Sequence, residues 1–259
     1  QLKHARSAGS ATIFLSQHAR KRRRGFKLAR MRSTDLHWIV QPQFVDGDLN
    51  GVEKMKLRLV GRPKVTFIGP VFAPPRAPDR PLPAEPYFFC CAGGGGNRVQ
   101  GRNSAEWFRE AAAEVSRKSG MPGVMVMGPN YRGEPGSQHG LIILPELDGA
   151  ELAHVLAGSE FAMLGGGGLL GQAVALGVPC AAVAVAKDQP PRVAAYRREG
   201  LCVAAQPDTL AQVTLDGLSP EERNRLRTRM KEAGLRNGLT AAIDQLSELL
   251  ESRAGSQWT

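Results

Sequence analysis

Gly165-Gly166-Gly167-Gly168-Leu169-Leu170-Gly171-Gln172 is the stretch on which the reading of the fold turns. Before it runs Glu160 to Leu164, a short apolar run that predicts a buried strand. After it, Ala173 to Pro179 completes a short helix and turn, and Cys180 to Ala186 gives a second apolar run closed by Asp188-Gln189. Strand, glycine turn, helix, strand is a βαβ unit. Glycines at its first turn let backbone approach a ligand with no Cβ in the way. The amides at the start of the following helix then face an anion such as a phosphate, which the helix dipole favours. The competing reading is a tight turn that needs glycine for its backbone angles and binds nothing.

Working outward, Tyr87 to Ala92 predicts another buried strand, and Gly93-Gly94-Gly95-Gly96 follows it as a second glycine quartet. Ser104 is placed to cap a helix over 105–118 that Gly120 ends, and Asp148 or Gly149 opens another through Leu156. Strands at 124–127, 141–144 and 201–204 alternate with helices near 192–199, 209–215, 220–233 and 240–252. Such alternation predicts an α/β fold with a doubly wound parallel sheet. In these sheets ligands bind beyond the carboxyl ends of the strands, where both glycine loops emerge. Upstream, strands at 11–15, 36–40 and 64–68 predict a smaller, incomplete α/β domain. Seven prolines between Pro70 and Pro86 mark a stiff connection. The predicted organisation is therefore a partial N-terminal domain over 1–73, a Pro-rich linker over 74–86, the ligand-binding domain over 87–235, and a helix and tail over 236–259.

Of the 259 residues, 42% are hydrophobic and 22% charged, as in an ordinary globular chain. The net charge of +10 is uneven: residues 1–76 carry 16 Lys/Arg against 4 Asp/Glu, the remainder 18 against 20. The first segment therefore attracts anions. The densest run is Arg20-Lys21-Arg22-Arg23-Arg24 within 20–32. A phosphorylated acceptor or an anionic membrane surface fits it better than nucleic acid, because no aromatic residues interleave for base stacking. A solvated helix face is the plainer account. Cys90, Cys91, Cys180 and Cys202 lie in apolar runs without CxxC spacing, which predicts reduced core thiols and a cytoplasmic protein, peripheral at a membrane if the basic run meets one. No apolar run is long enough to span a bilayer. The chain does not begin with Met, so a fragment or a trimmed chain is expected. No histidine spacing suggests a metal site. His18, after the first strand, is a solvated loop residue unless its position makes it a base. Gly166-x-Gly168-x-x-Gly171 followed by Asp188 also spells a dinucleotide fingerprint, and NAD binding is the competing ligand reading.

Residues 87–205 resemble the C-terminal, donor-binding domain of GT-B glycosyltransferases, in particular the peptidoglycan lipid-linked N-acetylglucosaminyltransferase and the nucleotide-sugar hydrolase of pseudaminic acid synthesis. The resemblance rests on Gly93–Gly96, Leu144-Pro145-Glu146-Leu147, the central glycine turn with Ala175-Leu176-Gly177-Val178-Pro179, and Asp188-Gln189 with Gly200. It implies that Gly94, Gly95 and Gly96 approach a donor diphosphate and that Leu144, Glu146 and Leu147 lie along the base. It implies that Gly166, Gly167 and Gly168 set helix-start amides on the phosphates, and that Asp188 and Gln189 hold sugar hydroxyls. Gln172 stands where the family has a Glu on the ribose, Leu169 where it has Ser or Thr, and Arg192 where it has Asn. The nucleotide sugar is a substrate in this scheme, with UDP as the expected nucleotide, no cofactor and no metal.

Three functions share this pocket: transfer of the sugar to an acceptor, hydrolysis or epimerisation of the nucleotide sugar, and noncatalytic nucleotide binding. Only about 70 residues precede the linker, so either a further segment or a second polypeptide is expected to complete the N-terminal domain and bring the base.

Overall fold

The computed structural model describes residues 2–134 and 138–255. They form two compact units, one made of residues up to Val71 together with Asn237 onward, the other of Phe72–Arg236.

The first unit holds a three-stranded parallel sheet of β1 (Ile13–Ser16), β2 (Leu36–Ile39) and β3 (Lys64–Phe67), in that spatial order. Its helices are α1 (Leu2–Ser7), α2 (Ala19–Gly25), α3 (Leu28–Met31), α4 (Gln43–Asp46) and α5 (Gly51–Val60). The basic run, read as a helix face, is carried by two short helices broken at Phe26-Lys27. Side chains alternate along β2. His37 faces the α2 and α5 layer, ringed by Phe14, Phe26 and the bare Cα of Gly25, and a Cβ at Gly25 would meet the imidazole at 2.2 Å.

The second unit is built on β4 (Phe88–Cys91), β7 (Gly123–Val126), β8 (Leu141–Leu144), β9 (Phe161–Gly165), β10 (Cys180–Val183) and β11 (Val203–Ala204), with β5 (Arg98–Val99) and β6 (Arg102–Asn103) forming a small hairpin beside it. The large sheet is parallel throughout and runs β11-β10-β9-β4-β7-β8. Renumbered without the hairpin, that is the order 6-5-4-1-2-3 of a doubly wound nucleotide-binding sheet. Helices α6 (Ser104–Ser119), α7 (Gly149–Ala157), α8 (Gly168–Ala175), α9 (Pro190–Arg198), α10 (Leu210–Gly217) and α11 (Pro220–Ala233) connect and cover it. Asn103, not Ser104, caps α6, its Oδ1 accepting from the Ala105 amide at 2.8 Å. Asp148 caps α7 with a reciprocal contact to Glu151, as its spacing to that residue suggests. The proline-rich segment is not left as a free connection: Phe72 is buried, the Arg76 amide donates to Ala150 O at 3.1 Å, and the Arg76 guanidinium pairs with Asp148.

The final helix, α12 (Leu239–Gly255), returns to the first unit. Ala242 joins Leu36, Trp38 and Ile68 in a core, with Leu246 and Leu249 packed at its margin. Trp38 Nε1 donates to Gln245 Oε1 at 3.0 Å. Asp35 gathers Arg6 from α1, Arg62 before β3 and Arg253 from α12 at 3.1, 3.3 and 2.7 Å. Burial alone would raise the Asp35 carboxyl, but the Thr12 amide and hydroxyl and Arg253 together hold it below its ordinary value.

Candidate functional site

The strand order reverses between β4 and β9, and both glycine quartets sit there: Gly93–Gly96 leaves β4 and Gly165–Gly168 leaves β9. These strands are hydrogen-bonded neighbours, with Cys91 opposite Leu164. A crevice at the carboxyl ends of a sheet, at the point where the order reverses, is where such folds bind ligands. The two glycine loops, 70 residues apart in sequence, therefore meet at the place the topology reserves for one.

The glycines serve different ends. None of Gly165 to Gly168 has a left-handed backbone, so turn geometry does not explain them. A Cβ at Gly165 would stand 2.4 Å from the Ala92 carbonyl oxygen, and one at Gly166 would stand 2.4 Å from Val193 Cγ2. Packing demands glycine at both. At Gly167 the nearest atom is Gln189 Nε2 at an ordinary 3.6 Å, and at Gly168 nothing stands within 4 Å. Those two positions, the cap and first residue of α8, keep the helix start bare, and Gly167 carries no side-chain cap. The first quartet differs. Gly93 and Gly95 are left-handed (φ 100° and 77°), and a Cβ at Gly95 would strike Met127 O at 2.3 Å. The Asn130 amide donates to Gly94 O at 2.8 Å, so the loop after β4 is bonded to the loop after β7.

Two candidates support the turn from beneath. Gln189 is buried, and its Oε1 accepts from the Val185 amide at 2.7 Å, which fixes the loop after β10. Its acceptor end is therefore occupied, while its amide nitrogen faces Gly167. Arg192 is also buried, donates from Nη1 to Gly166 O at 2.8 Å, and reaches Asp188 from Nη2 at 3.7 Å. Asp188 itself is exposed. Gln172 lies half-buried on α8, four residues past the helix start. At the other flank, Leu144 is buried at the end of β8, Glu146 is exposed and Leu147 half-buried. The carbonyls of Leu144 and Pro145 accept from the Met127 and Gly128 amides, both at 2.9 Å, and so hold this segment to β7.

Sequence reasoning missed a polar cleft of about 750 Å³ beside the first quartet, lined by Gly94, Gly96, Arg98, Asn103, Asn130 and Arg132 among others. Its charged lining residues are both arginines. The signal was present in Asn97-Arg98, directly after the quartet, and in Asn130 and Arg132, directly after β7.

The first unit corrects one expectation, for Arg22, and places His18. Arg22 does not belong to a free basic face. It is buried, and its five N–H groups go to Glu53 Oε1 and Oε2, at 3.2 and 2.7 Å, and to the carbonyls of Asp46, Gly47 and Asp48 at 2.7–2.9 Å. One turn of α2 points Arg22 inward and leaves Arg20, Arg23 and Arg24 exposed, with Lys21 half-buried. His18 is the cap of α2, its Nδ1 accepting from the Lys21 amide at 3.3 Å. That nitrogen is therefore turned to the start of α2. Among the described residues no three His, Cys, Asp or Glu side chains are grouped as metal ligands, and no helix is long and apolar enough to cross a membrane. All four cysteines are buried free thiols, and burial pushes the Cys91 thiol up to about 11.

No family model matches the sequence, and no curated protein matches it. Solved structures do. The glycotransferase of kitacinnamycin is 18% identical with a TM-score of 0.59, over 96% of this chain and 72% of that one. A UDP-N-acetylglucosamine 2-epimerase, so described provisionally, from Listeria monocytogenes is 14% identical with a TM-score of 0.63, over 100% and 71%. The calicheamicin glycosyltransferase CalG4 is 20% identical with a TM-score of 0.55, over 86% and 53%. At such identities the likeness is one of architecture, and the chain has the GT-B fold.

Proposed function

We propose that the chain binds a nucleotide sugar, with UDP as the nucleotide, and transfers its sugar to an acceptor. One observation carries this reading: both glycine loops lie at the switch point, and Gly167 and Gly168 stay bare where nothing in the packing requires glycine. The diphosphate would lie on the first-turn amides of α8, where partial positive charge accumulates. Arg98 and Arg132 would add formal charge on the side of the first quartet. Attack of an acceptor hydroxyl on the anomeric carbon forms the new C–O bond, breaks the bond to the diphosphate oxygen and gives up the hydroxyl proton to water or to a base on the acceptor side. The charge that develops on that leaving group is what the amides and arginines stabilise. Asp188 and the amide end of Gln189 would meet the sugar hydroxyls, and the segment Leu144–Leu147 the base.

Calorimetric titration with UDP, uridine and NAD tests the reading. UDP binds, uridine binds much more weakly because the phosphates carry the affinity, and NAD does not compete. Gly167→Val removes UDP binding while the unfolding midpoint stays near wild type, since the position is extended and uncrowded. Absence of UDP binding at millimolar concentration rejects the proposal. The epimerase among the matched folds motivates one further assay: sugar released or inverted without any acceptor would assign the same pocket to hydrolysis or epimerisation.

A further inference from the structure

Two helices of the first unit carry apolar stripes that face outward. On α5, Val52, Met55 and Leu59, spaced i, i+3 and i+7, are 55%, 60% and 74% exposed. On α12, Ile243 and Leu250, spaced i and i+7, are each 52% exposed, with exposed Ser247 between them. Seven residues of helix span about 10.5 Å, so the two stripes have the same length. Large side chains left bare in line mark an interaction surface.

The charges beside the stripes are opposite in sign. Glu53, the only acid of α5, is buried and pairs with Arg22, which leaves Lys54 and Arg58 exposed next to Met55 and Leu59. On α12 the exposed acids are Asp244, Glu248 and Glu251. Glu248 is taken by Lys64, whereas Lys54, Arg58, Asp244 and Glu251 have no ion-pair partner among the described residues. Each stripe therefore runs beside two unmatched charges, cations on α5 and anions on α12.

The two faces cannot cover each other within one chain. His37 on β2 faces the layer of α2 and α5, while its neighbours Leu36 and Trp38 pack with Ala242 of α12. Successive residues of a strand point to opposite faces, so α5 and α12 lie on opposite sides of the three-stranded sheet. A second copy offers each stripe its complement in length and in charge. Contact between like faces would set cation against cation or acid against acid, whereas α5 of one copy on α12 of the next brings unlike charges together.

We propose that copies of this chain associate head to tail, the outer face of α5 on one copy docking on the outer face of α12 on the next. Val52, Met55 and Leu59 then pack against Ile243 and Leu250, and Lys54 and Arg58 are set against Asp244 and Glu251. A contact between two different faces leaves one of each free at the ends, so further copies add until a ring closes. Two helix faces bury little area, so the association is weak and grows with concentration. It uses no residue of the glycine crevice and stands or falls independently of the proposed function.

Sedimentation velocity of the full chain over a concentration series, at low and at high salt, tests it. Wild type should pass from monomer to dimer and beyond, and lose association as salt rises. Met55→Ser with Leu59→Ser should stay monomeric, and so should Ile243→Ser with Leu250→Ser. Mixed, these two variants should form a one-to-one dimer that grows no further, because one keeps only its α12 face and the other only its α5 face. Lys54→Glu with Arg58→Glu should weaken self-association by about tenfold or more, and an equal amount of the Asp244→Lys with Glu251→Lys variant should restore it. All these positions are exposed, and circular dichroism matching wild type confirms the fold. A wild type that stays monomeric throughout overturns the proposal. So does a serine variant that still self-associates, which would mean contact between like faces, and so does a mixture of the serine variants that remains monomeric.

Discussion

Arg192 Nη1 donates to the Gly166 carbonyl oxygen at 2.8 Å, tying α9 to the glycine turn 26 residues earlier. The turn is therefore held by a buried cation in addition to its own backbone, where the Gly167 amide donates to Gly165 O at 2.7 Å. Arg192→Leu should free the carbonyl and shift the α8 start. It is expected to lower UDP affinity at least tenfold and to cost about 1–3 kcal/mol in stability for the unpaired buried group. Urea unfolding beside nucleotide titration separates the two effects, and an unchanged affinity would detach Arg192 from the site.

An alanine scan of the quartet should divide it in two. Gly165→Ala and Gly166→Ala place a methyl group 2.4 Å from Ala92 O and Val193 Cγ2 and should each cost about 1–3 kcal/mol. Gly168→Ala meets no atom within 4 Å, and at a helix start it should be neutral or slightly stabilising. Denaturant midpoints read the division directly.

Gln172 offers a gain of function. An amide accepts one strong bond where a carboxylate accepts two with charge assistance. If the ribose lies along α8, Gln172→Glu should tighten UDP binding by about tenfold and leave 2′,3′-dideoxy-UDP unaffected. Equal effects on both ligands would place the ribose elsewhere.

His37 predicts an acid limit for the first unit. Burial, then the nearby Arg22 charge, lowers its pKa from 6.5 to about 4, against a weaker opposing pull from Glu53. Below pH 6.5 the unfolded chain takes up a proton that the folded one refuses until about pH 4. Stability present above pH 6.5 is therefore lost as pH falls through that window, by on the order of 3 kcal/mol in all. His37→Gln should start less stable, because Ser16 Oγ loses the imidazole at 2.9 Å, but show a flatter acid limb between pH 6.5 and 4. Unfolding midpoints at the two pH values test this.

The buried pair of Arg22 and Glu53 sets a contrast within one basic run. Glu53→Ala strands a desolvated guanidinium and should cost about 3–5 kcal/mol. Arg23→Ala, one residue along and exposed, should change stability by less than about 0.5 kcal/mol. Similar losses in both would contradict the assignment of Arg22 to the interior.

Much of the second unit was legible because its signals are local. The apolar runs before Gly93 and Gly165, the helix start at Asp148, and Gly120 at the end of α6 each act within a few residues. What was hidden depends on partners distant along the chain. Nothing near Arg192 names Gly166, and nothing near Arg22 names Glu53, so the bond that holds the glycine turn and the one buried member of the basic run were out of reach. Gln189 was legible by type but not by duty, since its acceptor is spent on Val185. The cleft of Arg98 and Arg132 assembles from two loops that pair only once β4 and β7 are side by side. The destination of α12 was equally out of reach, because an amphipathic pattern declares an apolar face without saying against what it packs.

That helix has a consequence for the order of synthesis. Domains ordinarily fold from the N-terminus as the chain emerges. Here the earlier-made of the two units lacks Ala242, Gln245 and Arg253 until α12 has left the ribosome, and without them Trp38 lacks its hydrogen-bond acceptor and Asp35 one of its cations. The contiguous unit spanning Phe72–Arg236 has no such wait. Of these two units, the one whose strands are made earlier is the one completed later.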